Sequence, residues 1–107
     1  MPTEQYHEPP NELSESTRTF ARMTTSLMEE VDAINWYEQR LAVEKDAAAK
    51  AILADAQGEE FKHFGMLLEF LLRRKPEWKT TLEKILFKNG DIVELGSRGE
   101  EAAEGNS

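Results

Sequence analysis

Apolar side chains recur at helical spacing along most of this chain, and the pattern is interrupted in only a few places. Phe20, Met23, Leu27, Ile34, Tyr37 and Leu41 lie three, four or seven residues apart with Val31 among them, which keeps one face of an α-helix apolar. Ser14 or Ser16 can cap that helix, and the pattern carries it to about Val43, roughly eight turns. A polar break at Glu44-Lys45-Asp46 precedes a second helix from Ala47 to about Arg74. Its stripe is Ile52, Leu53, Ala56, Leu67, Phe70 and Leu71, and Pro76 bounds it. Trp78, Leu82, Ile85 and Leu86 predict a shorter third helix over Glu77 to Phe87, with Asn89-Gly90 as its left-handed stop. Ile92, Val93 and Leu95 form a last short apolar segment.

Residues 1–11, with Pro2, Pro9 and Pro10 and no apolar period, read as a mobile arm. Residues 97–107 are too polar to bury and read as a disordered tail, which leaves 12–96 as the helical domain. Two long antiparallel helices cannot close a core alone, because each stripe needs facing surface on more than one side. The expected fold is therefore all-α: two long antiparallel helices plus a short C-terminal helix, completed to a four-helix bundle by dimerisation.

Composition narrows the chemistry. With no cysteine, disulfides, thiolate metal sites and thiol catalysis are excluded, so any metal must sit on oxygen and imidazole. A net charge of −8 opposes binding to phosphate backbones and raises the local concentration of cations. Nucleic acid is not an expected partner. No apolar run approaches the roughly 20 residues of a membrane-spanning helix, and Met1-Pro2-Thr3-Glu4 lacks the basic-then-apolar pattern of a secretory leader. The chain reads as cytoplasmic, with no membrane partner.

Within the second helix, Glu60-Phe61-Lys62-His63 spells Glu-x-x-His, a spacing that puts both functional side chains one turn apart on nearly one face. Glu60 follows Ala56 by four and precedes Leu67 by seven, so that face is the apolar stripe. Helix one places Glu30 in the same way, three after Leu27 and four before Ile34. A carboxylate left ionised and unpaired in an apolar interior costs several kcal/mol. A cation held by Glu30, Glu60 and His63 removes that penalty. The four-helix di-iron design uses one Glu from each of two helices and a Glu-x-x-His from each of the other two. This chain carries half of that set, and a two-fold pairing of chains completes it. A second Glu-x-x-His, Glu4-Gln5-Tyr6-His7, lies in the proline-rich arm with no partner carboxylate and reads as solvated.

The run Met28-Glu29-Glu30-Val31-Asp32-Ala33-Ile34-Asn35-Trp36-Tyr37, followed by Glu59-Glu60-Phe61-Lys62-His63 and Leu68-Glu69-Phe70-Leu71, resembles the encapsulated ferritins over roughly residues 11 to 95. The resemblance implies a ferritin-like bundle and iron oxidation at a di-iron centre. It also implies assembly of dimers into a decameric ring, and housing in an encapsulin shell. By the same resemblance Glu30, Glu60 and His63 are the ferroxidase ligands, Tyr37 lies near the centre and Trp36 beside the metal's way in. Glu29 and Asp32 match the access site, where calcium or another divalent ion could also bind. Asp32 is one methylene shorter than the Glu common there. An outer metal site would map to Asp55, Glu59 and Lys62, where Lys62 brings a positive charge. The Gly-Ser-Leu-rich peptide by which family members dock to their shell does not occur in these 107 residues. The competing readings are a structural or regulatory helical oligomer with the three residues at a hydrated interface, and a di-iron oxygenase or peroxide-reducing relative. Met23, Met28 and Met66 read as packing, because iron prefers harder donors.

Overall fold

The computed structural model describes residues 5–105, and every regular element in that range is helical. Helix α1 runs Glu15–Val43 and α2 runs Ala47–Arg74. Both start at a side-chain cap, which satisfies a backbone N–H that the first turn leaves without a helical acceptor. Thr17 N donates to Ser14 Oγ at 3.0 Å, and Ala49 N donates to Asp46 Oδ2 at 2.9 Å. Between the helices, the Glu44 carboxylate accepts from the N–H groups of Lys45 and Asp46, at 3.1 and 3.0 Å, which fixes the three-residue turn.

The contacts along the pair establish its direction. Gln57 meets Ile34 while His63, further along α2, meets Glu30, earlier on α1, so the helices are antiparallel. Together they bury little. Among the described residues of the unit 1–71, Leu71 is the one hydrophobic residue that is fully enclosed, whereas Met28, Val31, Trp36, Ile52, Phe61 and Met66 remain exposed. The hairpin thus keeps much of its apolar surface bare.

Residues 72–107 cluster as a second unit. In it α3, Pro76–Glu83, packs on α4, Ile92–Gly105. The third helix was expected to reach Phe87; its regular part ends at Glu83. The chain winds on in turns, with Leu86 N donating to Leu82 O at 2.9 Å, until Phe87 takes a positive φ of 61°. The left-handed stop thus falls three residues before Gly90, whose φ of 124° then redirects the chain.

The larger correction concerns the end of the chain. Residues 97–105 were expected as part of a disordered tail from 97 to 107 and instead continue α4; the last two lie outside the described residues. Asp91 caps this helix through Glu94 N at 2.9 Å. Its packed face buries Leu95 and Gly99, and a Cβ at position 99 would lie 2.5 Å from the Thr81 carbonyl oxygen. Close backbone approach takes the place of large apolar side chains there. At the other end, residues 1–4 of the expected mobile arm lie outside the described residues. Pro10–Glu12 forms one 3₁₀ turn whose Pro10 carbonyl accepts from Arg18 Nη1 at 3.4 Å.

Candidate metal centre

Helix α1 brings Glu30, and α2 brings Glu60 and His63, to one place. One ligand atom from each lies within 4.8 Å of the others. His63 Nδ1 is 3.5 Å from Glu60 Oε1 and 3.8 Å from Glu30 Oε2, longer than good hydrogen bonds. Metal–ligand bonds of about 2.1 Å put adjacent donors about 3 Å apart and opposite donors about 4.2 Å apart. The two His63 spacings, 3.5 and 3.8 Å, fall between those values.

Electrostatics point the same way. Glu30 Oε2 is buried and has no hydrogen-bond partner among the described residues. A hydrogen bond that the protonated Glu30 carboxyl donates to the neighbouring Glu60, and then burial, hold the Glu30 carboxyl above the usual glutamate range, with His63 acting in the opposite sense. Two carboxyls crowded with a buried, unpartnered oxygen form a poor resting arrangement for a protein and a good one for a cation, whose charge reverses each of those penalties. All three donors are hard or borderline, which suits iron and excludes soft-metal specificity. Beside them opens a largely apolar groove of about 530 Å³, lined by Met23, Ser26, Leu67 and Phe70 as well as Glu30 and His63.

The other residues singled out in the sequence lie apart from this cluster. Tyr37 is half-buried two turns beyond Glu30, about 10 Å along the helix, and Arg40 sits over its ring at 5.3 Å. Glu29, Asp32 and Trp36 are exposed and fall outside the Glu30–Glu60–His63 group among the described residues, although the Glu29 charge adds to what raises the Glu30 carboxyl. Lys62 Nζ lies 2.8 Å from Glu59 Oε2; this hydrogen bond, and then its charge, holds the Glu59 carboxyl low and the Lys62 ammonium high. Glu59 is thus already partnered, which leaves the outer-site trio short of a free anion. Sequence reasoning missed Gln57, a buried amide bonded across to α1. The signal was available: it lies three before Glu60 and four after Leu53, on the buried side of α2.

A long helical hairpin that gathers two carboxylates and an imidazole on its inner face defines a ferritin-like protein. Residues 5–89 match the family described as EncFtn-like, and the chain belongs to that family. It is 41% identical to a ferritin-like protein of Thermotoga maritima over 97% of this chain and 88% of that one. It is 38% identical to an encapsulated ferritin-like protein of Rhodospirillum rubrum over 94% of this chain and 71% of that one. Among solved structures, protein ne0167 from Nitrosomonas europaea superposes with a TM-score of 0.80 at 42% identity, covering 84% of this chain and 99% of that chain. No helix among the described residues is long and apolar enough to cross a membrane.

Proposed function

We propose that this chain is a ferroxidase subunit that oxidises Fe(II) to Fe(III) at a di-iron centre completed by two copies of the chain. Its assembly, a dimer and then a decameric ring, works in iron storage or detoxification. The observation that carries this reading is the convergence of Glu30, Glu60 and His63, with Glu30 Oε2 buried and lacking a hydrogen-bond partner among the described residues. One chain offers two carboxylates and one imidazole, too few for two iron ions. A two-fold axis through the bare face of the hairpin doubles the set to four carboxylates and two imidazoles, the count a di-iron bundle needs.

Each residue then has a defined task toward the iron substrate. Glu30 and Glu60 supply anionic oxygen, which favours Fe(III) over Fe(II) and so makes loss of one electron per ion easier, dioxygen being the acceptor. His63 supplies a neutral nitrogen donor and completes the cage. Tyr37 is assigned a place beside the assembled centre by family resemblance. Glu29 and Asp32, exposed and three residues apart, form an acidic access site that draws cations inward and can hold calcium or another divalent ion. The name of the Rhodospirillum rubrum relative supports housing in a cytoplasmic encapsulin shell, with the shell protein as partner.

Glu60→Ala and His63→Ala should each remove most Fe(II)-dependent oxygen consumption while leaving helical circular dichroism intact. The same change at Glu4 or His7 should leave the rate unaltered. A wild-type rate in either ligand variant refutes the ferroxidase reading and favours a structural oligomer.

A further inference from the structure

Gln57 is the one buried polar side chain among the described residues, 8% exposed. Its amide nitrogen donates across the hairpin to two acceptors on α1, Ile34 O at 3.2 Å and Glu38 Oε1 at 3.0 Å. Those acceptors are four residues apart, so one NH₂ group spans a full turn of the opposite helix. Glu60 lies one turn further along α2 from Gln57, and Glu30 one turn back along α1 from Ile34.

We infer that Gln57 is a positioning residue for the Glu30–Glu60–His63 centre: its amide fixes the axial register and rotation of α2 on α1, so that the two carboxylates and the imidazole meet. The inference rests on the di-iron reading of that site. Apolar stripes specify such a register weakly, since leucine and isoleucine side chains repack after a shift. A slip of one turn moves a helix by about 5.4 Å. That exceeds the 4.8 Å within which all three donor atoms are gathered, so a single slip would dissolve the site. The interhelical turn cannot hold the tolerance by itself. Glu60 lies 14 residues beyond Asp46, about 21 Å of helix, but only 3 residues beyond Gln57, about 4.5 Å.

A buried amide, unlike a leucine, is left without acceptors when the register is wrong, and this penalty selects one alignment. A buried asparagine sets the register of coiled coils in the same way. Glu38 makes the device directional, because a charged acceptor strengthens its half of the bond.

Co(II) binding to the full-length protein tests the inference independently of iron turnover, because its visible absorption reports ligand geometry. Gln57→Leu should weaken Co(II) binding about tenfold and change the shape of its visible bands, while apo thermal stability holds or rises. Gln57→Lys retains a donor for both acceptors and should restore the wild-type spectrum. Should Gln57→Leu fail to fold, Glu38→Ala at the exposed end of the clamp should give a smaller change in the same bands. Unchanged bands and affinity in Gln57→Leu, or in Glu38→Ala where the first variant does not fold, overturn the positioning role. A lysine variant that matches leucine does so too. If the bands shift as expected but wild-type protein oxidises no Fe(II), the ferroxidase reading falls and the positioning role stands. A wild-type protein without Co(II) bands overturns both.

Discussion

Replacing Glu30 by Gln should move the stability of the protein in opposite directions with and without metal. In the apo protein two carboxylates share a site whose donor atoms lie within 4.8 Å, and Glu30 and Glu60 side chains are only 22% and 21% exposed. Two unit charges at that separation repel by about 0.9 kcal/mol in a water-like medium and by about 3.5 kcal/mol at an effective dielectric near 20. His63 offsets part of this, so relief of about 1 kcal/mol, or roughly 4 °C in Tm, is the expected gain for Glu30→Gln near pH 7. The pH dependence follows from the raised proton affinity of the Glu30 carboxyl in the folded chain. A carboxyl that binds its proton more tightly when folded stabilises the fold below its ordinary value of 4.5, and that contribution is lost as pH rises through the higher folded value. The advantage of the variant should therefore be present at neutral pH and shrink toward zero below pH 4.5.

Metal reverses the ranking. At an ion concentration about 100 times Kd the wild type gains about 2.7 kcal/mol, whereas a variant bound about 100-fold more weakly gains about 0.4 kcal/mol. Far-UV circular dichroism melts in chelator and in Zn(II), near pH 7 and near pH 4, would read all four conditions. A variant less stable than wild type in chelator, or one that keeps the full Zn(II) shift, would refute the crowded-carboxylate account.

Three further outcomes are expected. Fe(II) or Zn(II), added near the dissociation concentration, should shift mass from smaller species to dimers or larger rings, measured by light scattering, since a shared site binds metal better in the pair than in separate chains. A mass that does not respond refutes the shared site. Replacing Glu29 and Asp32 together by Ala should slow iron oxidation at low salt and flatten its salt dependence while ligand occupancy holds, checked by stopped-flow at two ionic strengths. Gly99→Ala sets a helix-propensity gain of up to about 1 kcal/mol against a Cβ placed 2.5 Å from Thr81 O; the α3–α4 pair should lose about 1–3 kcal/mol, seen as faster amide exchange in α4.

The sequence made the hairpin legible because several signals coincided at its ends. Ser14 and Asp46 cap where the apolar stripes begin, and Lys75-Pro76 breaks the pattern where α2 ends, so both long helices have the bounds the pattern predicted. The meeting of Glu30, Glu60 and His63 was legible for a related reason: charged groups placed on an apolar face stand out against the stripe. Helix α4 was not, because Gly99, Ala102 and Ala103 contribute almost no apolar area, and a polar segment with three glycines reads as disorder until α3 is there to meet it. Gln57 escaped for the opposite reason. A single amide is unremarkable in a helix, and its meaning lies in two acceptors 19 and 23 residues away.

The same arrangement gives a reason why so exposed a hairpin would suit the proposed chemistry. A site finished inside one chain would hold its carboxylates against their repulsion at all times, at a standing cost to a small domain whose stability is typically 5–15 kcal/mol. Here the repulsive half-site sits on a face that is itself incomplete, with Met23, Leu67 and Phe70 lining an open groove beside it. On the ferroxidase proposal, apolar burial against a second copy and charge neutralisation by metal would act on the same face. Each would favour the paired state, and by linkage each would strengthen the other. On the proposed reading, the chain bears the full strain of its clustered carboxylates only where a partner or an ion is at hand to relieve it.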